Sequence, residues 1–431
     1  MLEKGMPTVI YCQQTAFWGF VMTDRNNSFF YISNGELFLF DGEKEHTVPS
    51  GVAEKYVAHV KDRIRKNEWK ESGSGAVFMG TVNPETVESA VASISSKVCC
   101  VGFSDDRLIY SLNIDDVCGI YSKRTFRDTD EGIVLSDREY RYSDFDISRE
   151  GDICVSAAFA GESHIGVKRR DDADCRIITE GNSLEIYPVW SKHKKNVIFF
   201  SGAGLSGSDD DRSAEVGEAS DRLPFFDMQY GTPAAARERS AFALCSLDIG
   251  TGEITELMSD VAYDFVKPQA TADGSIWYIK KPFRPGGSGR SFGGCLLDIL
   301  RAPIRLLGAL VGFFNIFTIR YSGKNLTSAG GTKTKKRSED RICIDGNIIS
   351  ASKELRTNEA NGEKYPGYIP RTFELHRITP ENNDVTVKKG VIAYRVTENG
   401  VLYSNGTSVV IIKGDGSEEL VAKIKDVTFI A

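Results

Sequence analysis

The stretch Ile178–Gly204, ITEGNSLEIYPVWSKHKKNVIFFSGAG, constrains the chain more than any other. It reads as the end of one unit, a strand opening at Pro188-Val189-Trp190-Ser191, a polar turn over Lys192–Asn196 and a short apolar strand over Val197–Phe200. The same order recurs at Asp144–Val155, at Lys267–Tyr278 and, more weakly, at Val385–Tyr394. Ser148 and Ser191 hold the same place in their copies and lie about 43 residues apart. Ser191 and Thr271 lie about 80 apart, and the surplus is close to the length of an irregular insert, residues 205–240. A strand–turn–strand unit cannot bury its apolar face alone. Copies spaced by roughly 40–45 residues must stack on one another, and that period is the length of a four-stranded propeller blade.

Other segments supply the remaining strands. His164–Thr179 and Ala243–Leu257 read as outer hairpins, the third and fourth strands of a blade. Asn34-Gly35 separates two apolar runs, Phe29–Ile32 and Leu37–Phe40, and both residues tolerate positive φ, which makes the pair a hairpin turn. Gly400–Ile412, which contains Asn405-Gly406, repeats Phe30–Gly35 and the strand after it, again as an outer hairpin. Similar segments at the two ends suit a ring whose ends meet and leave no open sheet edge. The expected fold is all-β: a single propeller domain over 1–431 with six four-stranded blades, or seven if Val9–Met22 forms its own. One blade lies near each end, one over Ala76–Leu135 and three over Tyr140–Arg356. A short amphipathic helix is expected over 52–70, where Val57, Val60 and Ile64 alternate with charges.

The wording around Pro188-Val189-Trp190-Ser191 resembles the repeat of TolB-type, WD40-like β-propellers, with His193-Lys194 in place of the usual Asp-Gly turn. The resemblance covers Tyr140–Tyr278 well and the rest by pattern. It implies a propeller. Some proteins with TolB-like propellers are peptidases with an appended hydrolase domain, but no G-x-S-x-G is present here and the chain ends within the last expected blade.

Two inserts interrupt the blade pattern. Residues 205–240 are rich in Ser, Gly, Asp and Ala, carry Asp209-Asp210-Asp211 and read as a solvated acidic loop, without the D-x-D-x-D-G spacing of a calcium site. Residues 284–337 form an apolar and basic helical insert. From Leu306 to Ile319 nearly every residue is apolar, yet the run falls short of the roughly 20 that span a bilayer. Cations crowd its flanks, and Pro303 would bend a helix. Apolar burial and attraction to anionic lipid would then add. The contact residues expected for a membrane surface or a partner are Arg301, Arg305, Leu306, Leu307, Leu310, Phe313, Phe314, Phe317 and Arg320. Packing against the propeller, membrane-surface docking, a true span and protein docking all remain open for this insert. Its wording is also similar to that of Firmicutes-type propeller proteins, a likeness that brings no activity with it.

No catalytic, cofactor-binding or metal-binding residue is expected. Gly202-Ala203-Gly204-Leu205-Ser206-Gly207 fits G-x-G-x-x-G but precedes the acidic insert and not a helix N-terminus, so these glycines are expected in a loop. The five histidines are isolated, without H-E-x-x-H or an i, i+4 pair. Trp190 and Trp277 are expected in the core. Nine scattered cysteines without C-x-x-C read as free buried thiols of a reducing compartment. The N-terminus shows no secretory pattern, and the net charge of −7 argues against nucleic acid. The expected protein is a cytoplasmic, non-enzymatic binding or scaffolding propeller without cofactor. Its expected partners are an unknown protein and the anionic inner face of the membrane. The alternative is a hydrolase or lyase with its site in the central channel.

Overall fold

A computed structural model of the 431-residue chain describes residues 28–71, 91, 94–115, 117–137, 139–206, 238–283, 341–344 and 347–431. The described chain opens with β1 (Phe29–Ser33), β2 (Glu36–Phe40) and β3 (Glu45–Thr47). Asn34 and Gly35 join the first two at φ 52° and 79°. This left-handed pair makes a two-residue turn whose twist matches the strands, so Phe29 faces Phe40 and Ser33 faces Glu36. Helix α1 (Gly51–Glu71) follows. Its first amides, Gly51 N and Val52 N, donate to the Glu131 carboxylate at 3.2 and 2.9 Å, an anion placed where the helix dipole favours one.

The next sheet is a meander of β4 (Ser96–Ser104), β5 (Arg107–Ile114), β6 (Val117–Lys123) and β7 (Gly132–Ser136). A nine-stranded sheet contains two further meanders. The first is β8 (Arg141–Ile147), β9 (Ile153–Phe159), β10 (Glu162–Lys168) and β11 (Arg176–Ile177). The second is β12 (Ser183–Trp190), β13 (Val197–Ser206), β15 (Ala243–Asp248) and β16 (Glu253–Met258), with the short β14 (Glu238–Arg239) on the end of β13. A parallel bridge of Ser163 to Leu184 joins the two. Strands β17 (Tyr263–Ala270), β18 (Ile276–Pro282), β21 (Glu374–Ile378) and β22 (Asp384–Lys389) form another sheet. The hairpin β19 (Arg341–Ile344) and β20 (Asn347–Ser350) and helix α2 (Ala351–Ala360) come between β18 and β21. A four-stranded sheet of β23 (Ala393–Thr397), β24 (Gly400–Ser404), β25 (Val409–Ile412) and β26 (Glu418–Ala422) comes last. The final strand β27 (Val427–Ile430) then returns to β1, with Tyr31 opposite Ile430.

Each sheet packs on the next through its own apolar layer. Phe30, Val101 and Tyr110 join the first sheet to the second. Ile109, Ile120, Phe145 and Val155 join the second to the third meander. Ile165, Val167, Trp190 and Phe200 join the halves of the nine-stranded sheet. Leu244, Phe265 and Tyr278 continue to the β17 sheet. Leu375, Val391, Tyr403 and Val410 reach the last sheet, and Tyr31, Leu402, Ile411 and Val427 complete the circuit. The apolar layers therefore run around a closed ring, as the matching chain ends suggested.

Several expectations shift in detail. Asp144–Val155, Tyr187–Phe200 and Lys267–Tyr278 do each cover the first two strands of a meander. Val385–Tyr394 instead bridges the outer strand of one sheet and the inner strand of the next. The Asn34-Gly35 and Asn405-Gly406 hairpins occupy the second and third positions of their sheets, not the third and fourth. Gly202 and Gly204 are not loop residues: both lie within β13, where a Cβ on Gly202 would press on the Phe200 ring and the Cys245 sulfur. Leu205 and Ser206 still pair with Arg239 and Glu238. The expected strands at Val9–Met22 and Ala76–Met79, and residues 207–237 and 284–340, lie outside the described residues.

Candidate functional site at the ring centre

The first strands of successive meanders lie against one another, β4 with β8, β8 with β12 and β12 with β17, and these four inner strands carry the same defect. The pairing skips Cys99-Cys100 in β4, Ser143-Asp144 in β8, Tyr187-Pro188 in β12 and Lys267-Pro268 in β17. A bulge of this kind bends the strand and re-aims its side chains. Tyr187 and Lys267 meet it at positive φ, 56° in both. Proline follows each and lacks the N–H that an unpaired position would leave unsatisfied.

The bulges turn polar groups towards neighbouring sheets. Ser111 Oγ donates to Ser143 O at 2.5 Å, and Ser156 Oγ donates to Glu185 O at 2.7 Å. Lys267 Nζ donates to Ile392 O and Thr428 O, each at 3.0 Å, while Tyr394 Oη donates to Lys267 O at 2.7 Å. Gln269 Nε2 donates to Tyr394 O at 2.8 Å and Gln269 Oε1 accepts from Val396 N at 3.1 Å. Lys267 and Gln269 thus latch β17 to β23 and β27.

Just beyond these latches lies a group of charges. Asp146, near the end of β8, accepts from Trp190 N at 2.9 Å. Burial pushes its carboxyl pKa up; the Trp190 and Ile147 amides, Arg395 and Lys192 oppose the rise without cancelling it. Lys192 follows Trp190 by two residues. Its ammonium pKa is pushed down by burial and by Arg395, with Arg149 adding to the effect and Asp146 opposing it. Arg395 comes from β23, in the last sheet. Side chains from three meanders therefore act on one another electrostatically. Arg149 and Lys192 occupy the same place in their repeats, directly after Ser148 and Ser191.

Other buried polar clusters have structural work. Glu131 and Lys123, both essentially inaccessible and 3.3 Å apart, close the α1 N-terminus, where Lys123 also donates to Pro49 O. Glu185 accepts from Ile165 N at 3.2 Å and from Thr179 Oγ1, and burial pushes its carboxyl up. Arg239 grips Asp264 with both terminal nitrogens at 2.9 and 3.0 Å. His376 stands between Asp384 and Glu374 at 3.0 and 3.3 Å on the outer strands. The described cysteines that are free number six, with Cys100, Cys118, Cys154 and Cys245 buried. Among the described residues no group of histidine, cysteine and carboxylate side chains is arranged to hold a metal.

All nine residues expected to contact a membrane or partner, Arg301 through Arg320, fall outside the described residues. No helix among the described residues is long and apolar enough to cross a membrane. Trp190 and Trp277 are buried in the core. Sequence reasoning missed Asp146, Lys192 and Arg395. The one available signal was the shared repeat position of Arg149 and Lys192.

Four-stranded antiparallel meanders that stack one on the next around a ring define a β-propeller arrangement. No family model and no curated protein matches the chain. Among solved structures it is similar to TolB from Acinetobacter baumannii, at 9% identity and a TM-score of 0.44, over 94% of this chain and 66% of that one. A putative TolB from Agrobacterium tumefaciens is similar at 9% identity and a TM-score of 0.35, over 59% of this chain and 66% of that one. The tricorn protease is similar at 10% identity and a TM-score of 0.39, over 94% of this chain and 34% of that one. The chain thus spans just under two thirds of either TolB chain and about a third of the protease. None of these comparisons bears on the Firmicutes-type wording of residues 284–337.

Proposed function

We propose that residues 1–431 form one six-bladed β-propeller domain, the nine-stranded sheet counting as two blades, and that it is a non-enzymatic binding platform holding its ligand at the inner rim. The observation that carries this reading is the convergence of Asp146, Lys192 and Arg395 from three meanders, beside inner strands latched by Lys267 and Gln269. A rim held by such latches presents charges in a fixed geometry, which lowers the cost of ordering them on binding. One observation favours a second reading, an enzyme at the same rim. A carboxyl whose pKa is raised by burial beside cations is the setting in which general acids are found.

Dialysis of the full chain against a small-molecule extract, followed by mass spectrometry, separates the two. The platform reading expects a species retained unchanged by the wild type and released by a Lys192→Glu/Arg395→Glu variant. Consumption of that species with appearance of a product would transfer the site to the enzyme reading. No difference between wild type and variant would sink both. Docking on the anionic inner face of the membrane through Arg301, Arg305, the apolar run and Arg320 is a separate proposal, supported by the apolar centre and cationic flanks of that segment. Co-sedimentation with anionic and neutral vesicles tests it. Vesicle binding that survives deletion of 284–337, or no binding at all, would remove it.

A further inference from the structure

One outer strand presents nearly all of its side chains to solvent. β16 ends the nine-stranded sheet, paired with β15 along one edge and with no strand along the other among the described residues. Five of its six side chains, Glu253 to Leu257, are exposed. Other outer strands are engaged: Leu135 of β7 and Ala422 of β26 are buried, and Lys388 of β22 pairs with Glu363 and Glu418. Three of the eight large apolar side chains exposed among the described residues, Ile254, Leu257 and Val261, fall close together here, and Val261 is 92% exposed. An open strand edge with apolar groups gathered on it is a surface that folded chains cover or blunt.

The edge is also acidic. Asp248, Glu253, Glu256 and Asp260 are the charged residues from 248 to 262, with no lysine or arginine between them. Asp248 and Asp260 serve their turns, accepting from Gly250 N and Ala262 N, each at 2.8 Å, and Glu256 accepts from Ser259 Oγ. The neighbouring cations sit at the two ends of the strand. Lys194 and Lys195 precede Asn196, whose carbonyl accepts from Ile249 N at 2.9 Å. At the other end Arg239 is held by Asp264, and Lys280 lies 4.4 Å from the Tyr263 ring centre. The middle of β16 therefore offers Glu253 and Glu256 beside Ile254 and Leu257, a surface matched to a basic and apolar extended segment.

The chain carries such a segment and releases it at this place. Phe283 N donates to Ala262 O at 2.8 Å, one residue beyond Val261. Residues 284–340 begin there and hold ten Lys or Arg against three Asp or Glu. Within them, Phe317-Thr318-Ile319-Arg320-Tyr321 alternates as a strand does: Phe317, Ile319 and Tyr321 fall on one side and Thr318 and Arg320 on the other, and every type but arginine favours strands. The six residues of β16 rise about 20 Å, and the 33 residues from Arg284 to Ile316 reach several times that distance when extended. We infer that the outer edge of β16 is covered by residues 317–321 of its own chain, added as a further strand with Arg320 against Glu253 and Glu256 and the apolar side chains over Ile254 and Leu257. The contact is intramolecular, so modest affinity suffices. It is independent of the rim and needs only five residues of the insert.

Amide hydrogen exchange of the full chain tests the inference, read at the β16 amides that are not bonded to β15. They should be protected in the wild type and exchange about tenfold faster when 317–321 is replaced by five Gly and Ser residues. Arg320→Glu should speed them severalfold, as should Glu253→Lys/Glu256→Lys. Combining all three substitutions should restore protection, an outcome that general destabilisation cannot produce. The amides of β13 and the thermal melt serve as controls for folding and should stay unchanged in every variant. Equal exchange of β16 in the wild type and the replacement variant would overturn the inference. So would a combined variant that exchanges as fast as its parents. Protection that survives the replacement but falls on dilution would assign the edge to a second copy and overturn it as well. None of these outcomes alters the retention of a ligand at the rim, so the two readings fail separately.

Discussion

Asp273 lies in the turn between β17 and β18, accepting from Ser275 N at 3.1 Å, from Thr271 Oγ1 and from Ser275 Oγ, and pairing with Arg377 at 2.8 Å. Burial alone would raise its pKa. The hydrogen bonds from Thr271 and Ser275, with Arg377, outweigh burial and bring the carboxyl down to about 2. A folded-state value below the unfolded one means that the ionised group stabilises the fold above the unfolded pKa of about 3.9, and that this stability is lost as pH falls through about 2. The side chain is 49% exposed, so solvent screening reduces the contribution to roughly 0.5–1 kcal/mol. Asp273→Asn should therefore unfold at lower urea than wild type at pH 7, with the gap narrowing towards pH 2.5. An equal gap at both pH values would contradict the account. The cysteines follow the opposite logic. Burial, aided by Asp144 and Cys118, pushes the Cys99 thiol up to about 12, and burial with Asp137 does the same for Cys175. Thiols held protonated in this way are poor nucleophiles.

At the scale of the element, the repeated bulge explains why Lys267 matters more than an inner-strand lysine usually would. Its left-handed backbone aims Nζ at two carbonyls far apart in sequence, Ile392 O just before β23 and Thr428 O in β27. Lys267→Met keeps the apolar stem and leaves both carbonyls without their donor. A lost charged hydrogen bond costs about 1.5–3 kcal/mol, and the melting temperature should fall accordingly. A melt unchanged within error would show that water replaces the ammonium without cost. How much of this was legible in the chain depends on the range of the interaction. The strand–turn–strand units at Asp144, Tyr187 and Lys267 were visible because turn residues and apolar runs act within a dozen residues. Helix α2 was not foreseen: ASKELRTNEA is built of helix formers but shows no broad apolar stripe. Gly202 looked like a loop residue because a strand tolerates glycine where a neighbour crowds in, and one such neighbour, Cys245, is distant in sequence. The rim was the least legible part. Arg395 acts on Asp146 only because the fold brings distant parts of the chain near one another, and spacing in sequence carries no such distance.

The ring as a whole depends on its last strand. Val427 and Ile430 are buried at 0 and 1% exposure in the layer shared by the first and last sheets. Ala431 N donates to Phe30 O at 2.9 Å, and Phe30 N returns a bond to Ala431 O at 3.2 Å. Ser33 Oγ donates to Lys425 O at 3.2 Å. Losing two buried aliphatic side chains costs about 1.5–3 kcal/mol each, and several strand hydrogen bonds add about 1 kcal/mol apiece. The sum rivals the 5–15 kcal/mol that usually separates a folded domain from its unfolded chain. Removal would also expose the inner edge of β1, a row of unpaired backbone groups that invites pairing with another molecule. A chain truncated after Asp426 should therefore lose its cooperative melt and elute as dimers or larger species in size exclusion with light scattering. Ile430→Ala, which leaves the backbone pairing intact, should remain monomeric and lose about 2–5 kcal/mol. If the truncated chain stays monomeric and melts like wild type, β27 is an accessory strand and the ring is held closed by the bonds of Lys267 to Ile392 O and of Gln269 to Tyr394 O and Val396 N instead.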